Sequence, residues 1–159
     1  MGGFFLCKGD NVFKTGGFTI YGEHEEDPGG LSIMLKPFAP SYPWWSEATG
    51  KVLEAMHDLP IKGASVLDFG CAGSVILGLA AKKLGAREVV AVENNPLHLK
   101  EAKMQVEGRG IEVLESTDRT FDIIFANVGD AALVGQLSNQ AKRGVGTDKA
   151  GSLLEWQED

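Results

Sequence analysis

Two acidic residues, each at the end of an apolar run, carry the strongest chemical signal in this chain of 159 residues. Asp68 ends the run Ser65-Val66-Leu67, and Glu93 follows Val89-Val90-Ala91-Val92. Small residues fill the turn after Asp68, namely Gly70, Cys71, Ala72, Gly73 and Ser74, and Asn94 follows Glu93. A pyrophosphate needs backbone N–H groups at a helix N-terminus and a turn without anions. Here the G-x-G-x-x-G fingerprint is absent and Asp68 stands where phosphate would approach. A carboxylate there suits a ligand with an ammonium and no phosphate. An acidic residue at the Glu93 position, about 20 residues on, accepts hydrogen bonds from ribose hydroxyls.

The elements that must position these residues are legible around them. Ser65 to Phe69 reads as a buried strand, Gly70 to Ser74 as a turn, Val75 to Leu84 as an apolar helix and Val89 to Val92 as a second buried strand. This is a βαβ half of a doubly wound, mostly parallel sheet, in which ligands bind beyond the carboxyl ends of the strands. S-adenosylmethionine (SAM) meets the charge requirement, being an amino acid, a sulfonium, a ribose and an adenine without phosphate. The pair Asp68 and Glu93 therefore points to SAM over a nicotinamide dinucleotide.

VLDFGCAGSVILGLAAKKLGAREVVAVENNP, followed by FDIIFANV at Phe121 to Val128, resembles the class I SAM-dependent methyltransferases, nearest to the ribosomal-protein and protein-lysine branch. The resemblance covers roughly Ser46 to Val134. It implies a Rossmann-like α/β fold with Asp68, Gly70, Cys71 and Gly73 around the methionine part. It places Glu93 and Asn94 at the ribose and Ser116, or its neighbour Thr117, near the adenine. Asn127 would border the methyl acceptor as the catalytic residue, its amide orienting an amine lone pair; an Asn that satisfies a turn is the alternative. The usual turn is D-x-G-x-G-x-G. Either Ala72 and Ser74 replace its second and third glycines, or one residue is inserted and Val75 replaces the last.

Composition bounds the remaining choices. A formal net charge of −7 without a basic run argues against sequence-independent binding of nucleic acid. Acidity suits a basic protein substrate and serves solubility equally well. Cys7 and Cys71 lack paired or metal-like spacing, which points to a reduced, cytoplasmic setting with no metal site. No apolar run reaches the roughly 18 residues of a membrane span, and no signal peptide is expected. Met1-Gly2 opens like a myristoylation signal, but Leu6 occupies the Ser/Thr position.

Residues 1–45 read as a β-rich extension ahead of a methyltransferase-like region over 46–159. FFLCK, VFKT and FTIYGE are short strand-like pieces with hairpin punctuation, predicting a small antiparallel meander. Residues 23–30 form a polar loop containing His24, and Leu31 to Leu35 a further strand. A stiff aromatic segment runs to Trp44 and Trp45, which either cover the sheet end or line the cofactor mouth. Ser46 is an N-cap for a helix to about Asp58, with His57 structural near its end. Asn95 and Pro96 start the next helix, ending near Gly108, with His98 on its exposed face. Ile111 to Leu114 and Phe121 to Ala126 are strands, and Ala131 to Lys142 is helical. A loop from Arg143 and one strand over Ser152 to Trp156 follow, so the fold is predicted to be short of its final strands. The N-terminal meander would cover the edge they leave.

Methyl transfer is an in-line displacement at a carbon the sulfonium already activates, so the protein supplies proximity and alignment. That accounts for the lack of a triad or metal motif. The sequence thus supports a SAM-dependent methyltransferase acting on a protein amine. The alternative is a methyltransferase-like binding or assembly module without catalysis, favoured by the altered glycine turn. A nicotinamide-dependent oxidoreductase is disfavoured by Asp68.

Overall fold

The computed structural model describes residues 12–36 and 45–158. The predicted FFLCK strand, Cys7 and the aromatic segment through Trp44 lie outside the described residues. Three N-terminal strands, β1 (Phe13–Thr15), β2 (Phe18–Gly22) and β3 (Ser32–Leu35), form a sheet of their own. Then follow α1 (Glu47–Met56), β4 (Ser65–Phe69), α2 (Ile76–Lys83), β5 (Glu88–Val92), α3 (Pro96–Val106), β6 (Glu112–Leu114), β7 (Phe121–Ala126), α4 (Ala131–Leu137), β8 (Ala141–Thr147) and β9 (Leu153–Gln157).

The second sheet has the order β6-β5-β4-β7-β8-β9, with every pairing parallel except the antiparallel β8–β9 pair. Its centre is apolar because β4 and β7 are covered by helices on both faces, the usual reason for unbroken hydrophobic strands. Asp68 pairs with Ala91 of β5 on one side and Phe125 of β7 on the other. The strand order reverses at β4, so the crevice beyond its carboxyl end is the place where such sheets hold ligands.

Local chemistry starts the helices where the sequence predicts. Ser46 accepts the Thr49 N–H ahead of α1, and Asn95 accepts from Leu97 and His98 ahead of α3, with Pro96 at its first position. Asp130 accepts the Leu133 N–H ahead of α4. Among the described residues no helix is long and apolar enough to cross a membrane.

Three expectations fail. The helix from Ala131 stops at Leu137, and residues 141–147, expected as helix end and loop, are the strand β8. Its glycines belong to the packing: a Cβ on Gly144 would meet the Trp156 ring and the Ile124 carbonyl oxygen. With β9 paired to β8, the sheet has the closing antiparallel pair that the sequence reading lacked. The N-terminal strands accordingly do not pair with that edge. They are also not a pure antiparallel meander, since β2 pairs antiparallel with β1 but parallel with β3. Asp27 shapes the returning loop by accepting the Gly29 N–H and the Ser32 hydroxyl.

The N-terminal sheet shares the main core. Phe18, Ile20, Ile33 and Leu35 are buried in one cluster with Val52, Leu53 and Met56 of α1 and with Leu77 and Ala80 of α2. Each such side chain contributes about 1.5–3 kcal/mol on burial, so the small sheet is tied firmly to the helices. His57 closes the joint: its Nε2 lies 2.7 Å from the Gly16 carbonyl oxygen and its ring stacks on Phe18 at 4.9 Å. This is the structural role expected of it. The opposite face of the large sheet packs Leu67, Val90 and Ile124 against Val134 and Leu137 of α4.

Candidate functional site

Asp68 is buried to 2% exposure, and its Oδ2 accepts the Gly78 N–H at 2.9 Å. The contact follows from the way α2 begins. Val75, at the N-cap, supplies no side-chain acceptor, so the orphan N–H groups of the first turn turn to other partners. Ser74 Oγ takes the Ile76 N–H at 3.3 Å and Asp68 takes that of Gly78. Burial, with the charge of Glu93 adding to it, pushes Asp68 up to about 7, while the Gly78 hydrogen bond pulls the other way. The carboxylate thus engages α2 instead of projecting from the strand tip.

Glu93 holds the turn together. Its Oε1 accepts the Ala72 N–H at 2.9 Å and its Oε2 the Asn95 N–H at 3.0 Å, in a side chain 8% exposed as a residue. The turn it restrains is bent into an unusual path. Gly70, Ala72 and Val75 have φ of 71°, 51° and 53°, a left-handed region that costs a non-glycine residue about 1–2 kcal/mol. Of the three substituted positions considered from the sequence, Ala72 and Val75 therefore carry the backbone shape of a glycine and Ser74 does not. Gly70 is required for space as well, since a Cβ there would lie 2.7 Å from Val128 Cγ1. Gly73 departs from its expected place: it faces Glu101 of α3 and lines neither cavity of the crevice. Cys71 is buried, and its thiol is pushed up by burial and by the charges of Asp68 and Glu93, which keeps it from acting as a thiolate.

Asn127, at the tip of β7, is clamped on both sides. Its Nδ2 donates to Thr49 Oγ1 at 3.0 Å, and its Oδ1 accepts the Thr147 hydroxyl at 2.9 Å. Thr147 Oγ1 also accepts the Gly129 N–H at 3.0 Å, and Thr49 Oγ1 lies 3.0 Å from Ser46 Oγ. Neither threonine was legible as a site residue. Thr49 looks like an ordinary helix position, and Thr147 would have stood out only with 141–147 read as a strand, where it falls at the carboxyl end.

Two cavities open at this end of the sheet. One, about 490 Å³, is lined by Trp45, Thr49, Asp68, Cys71, Thr147 and Lys149 among others. The other, about 580 Å³, is bordered by Phe69, Glu93, Asn94, His98, Ser116 and Leu133. Gly70, Ala72, Asn127 and Val128 line both and form the ridge between them. The two carboxylates expected to grip one ligand thus belong to adjoining cavities. Trp45 donates from Nε1 to Thr15 Oγ1 at 3.0 Å and is among the residues bordering the smaller cavity. His98, expected on an exposed face, is turned inwards.

A doubly wound sheet closed by an antiparallel strand, with acidic residues ending its two central βα strands and a crevice at the reversal point, defines the class I methyltransferase fold. The sequence model of the family "Ribosomal protein L11 methyltransferase (PrmA)" matches residues 46–152. The chain belongs to that family. It is 32% identical over 136 residues to the ribosomal protein L11 methyltransferase of Aeromonas hydrophila, an alignment covering 80% of this chain and 45% of the relative. The chain therefore spans about half the length of the curated relatives it matches. The crystal structure of ribosomal protein L11 methylase from Lactobacillus delbrueckii subsp. bulgaricus superposes with a TM-score of 0.67 at 22% identity, covering 81% of this chain and 73% of that one. A T. thermophilus 16S rRNA methyltransferase in complex with AdoMet and guanosine follows at 0.53 and 27% identity, covering 67% and 35%.

Proposed function

We propose that the chain binds SAM in the paired cavities and transfers its methyl group to an amine of a protein, with ribosomal protein L11, the substrate in its relatives' names, as the favoured acceptor and a cytoplasmic setting. The observation that carries this reading is the state of Glu93. Two backbone N–H groups fix its carboxylate at the mouth of the larger cavity. A carboxylate has about four acceptor directions, so two remain for the adjacent hydroxyls of a ribose.

The residues fit the parts of the cofactor. Glu93 and Asn94 would hold the ribose, and Phe69, Ser116 and Leu133 provide an apolar and hydroxyl-bearing wall for a base. The methionine chain would pass over the ridge of Gly70 and Ala72 towards Asp68 and Cys71 in the smaller cavity. When bound, SAM supplies a methyl carbon activated by its sulfonium. The protein's part is alignment, which can contribute several kcal/mol to a displacement of this type. Asn127 is suited to it because its amide is held by Thr49 and Thr147. Its Oδ1 retains a second lone pair that can accept a hydrogen bond from an incoming amine and turn the nitrogen lone pair towards the crevice.

Calorimetric titration with S-adenosylhomocysteine tests the binding step, and transfer of labelled methyl from SAM to ribosomal protein L11 tests the reaction. Glu93→Ala is expected to weaken binding at least tenfold. A folded sample that binds neither SAM nor S-adenosylhomocysteine at millimolar concentration would sink the proposal. A second reading, a binding or assembly module without catalysis, is favoured by Ala72 and Val75 in place of turn glycines. Tight cofactor binding with no methyl transfer would select it.

A further inference from the structure

The first turn of α3 brings a residue to the larger cavity that no motif assigns to it. Asn95 accepts the N–H groups of Leu97 and His98 at 3.0 and 3.2 Å. This cap turns Leu97 outwards at 56% exposure and leaves the His98 side chain at 18%. The imidazole lines the cavity beside Glu93, Asn94, Glu115 and Ser116, and its Nδ1 lies 3.9 Å from Glu93 Oε2. Since Oε2 already accepts the Asn95 N–H, one acceptor direction is left on it, and the imidazole stands next to that direction.

We infer that His98 is a further ligand-binding residue of the nucleoside cavity, sharing Glu93 Oε2 with a ribose hydroxyl and so coupling nucleoside affinity to a proton. This rests on the reading of the cavity as a nucleoside site. A neutral imidazole protonated on Nε2 presents Nδ1 as an acceptor, leaving Oε2 to the hydroxyl. An imidazolium donates from Nδ1 to Oε2 in a charge-assisted hydrogen bond and takes that acceptor away. Acidification therefore weakens nucleoside binding. Glu93 at the end of β5 and Glu115 after β6 line the cavity with the ring, and Glu101 lies one turn further along α3. Asp68 of β4, pushed up to about 7 by burial and by the charge of Glu93, gains or loses a proton across the same experiment. The contribution of His98 is therefore read as a difference between wild type and a variant.

The probe is 5′-methylthioadenosine, which carries the nucleoside without a titrating amino acid group. Calorimetry on the full chain at pH of about 7.5 and about 5.5 is expected to show a roughly tenfold rise in Kd on acidification for wild type, and less than about twofold for His98→Gln. The same pH dependence in both proteins, or none in wild type, overturns the assignment of the proton to His98 while leaving the nucleoside site intact. Absence of binding by folded wild type at both pH values overturns the nucleoside reading and this inference with it. A second measurement needs no variant. In nitrogen-edited NMR the chain has three imidazoles to resolve, His24, His57 and His98. Saturating nucleoside at a pH of about 5.5 is expected to move the His98 ring-nitrogen signals towards those of a neutral imidazole, the reciprocal of the effect on affinity. Unmoved His98 signals refute the coupling.

Discussion

Replacing Asp68 with Asn tests whether the carboxylate at the centre of the sheet is held there against its own charge. Burial raises it from the ordinary 3.8 to about 7. With the folded-state value above the unfolded one, the folded chain retains a proton that the unfolded chain has already released. The stability attached to this proton is fully present in acid, below about 4, and is lost as pH rises to about 7. Each unit corresponds to about 1.4 kcal/mol. Between pH 5 and 8, wild type should thus lose roughly 3 kcal/mol from this group, about two units' worth. The amide of the Asp68→Asn variant has no proton to lose and keeps an oxygen for the Gly78 N–H, which lies 2.9 Å from Asp68 Oδ2 in wild type. Urea unfolding followed by circular dichroism across that range gives both stabilities, and their difference cancels the titrating groups that do not feel the charge of Asp68. The Asp68→Asn advantage is expected to grow by about 3 kcal/mol towards pH 8. A difference that stays constant, or shrinks as pH rises, refutes the reasoning.

Other perturbations probe the turn, the closing strands and the clamp. Ala72→Gly removes a left-handed alanine at φ 51°, so the usual loss of about 0.4–1 kcal/mol for introducing glycine should vanish; a thermal melt showing a loss above about 1 kcal/mol would contradict the strain. Gly144→Ala places a Cβ into the Trp156 ring and 2.7 Å from the Ile124 oxygen and should cost about 1–3 kcal/mol or more in denaturant. A neutral outcome would mean that β8 and β9 do not pair in this register. Thr147→Val strips Asn127 Oδ1 of its donor and the Gly129 N–H of its acceptor, costing about 1–3 kcal/mol of stability. Methyl transfer should fall more than S-adenosylhomocysteine affinity, and an unchanged rate would remove Asn127 orientation from the mechanism.

What could be read from the residues alone depended on how local the signal was. β4 and β7 have the predicted bounds because apolar runs between turn residues leave little choice, and Ser46 and Asn95 cap their helices through contacts two or three residues away. β8 escaped because Gly144 and Gly146, which read as loop punctuation, are there to admit Trp156 and Val134 against the strand. Those neighbours are distant in sequence. The same limit hid Thr49 and Thr147, which meet Asn127 across 78 and 20 positions. The direction of Asp68 was recoverable in principle. Strand alternation puts it on the face of Val66, which packs with α2, and opposite Leu67, which packs with α4.

The span between Thr49 and Thr147 has a bearing on how the protein comes into being. A nascent chain that has emerged only as far as β7 already holds the strands on which Asp68 and Glu93 sit, yet Asn127 still lacks one of its two hydroxyl partners. The amide is locked only when Thr147 arrives, with β8 inserted beside β7. On the proposed reaction, alignment of an acceptor amine therefore waits for β8 to take its place, and a chain without it would carry that amide still able to turn.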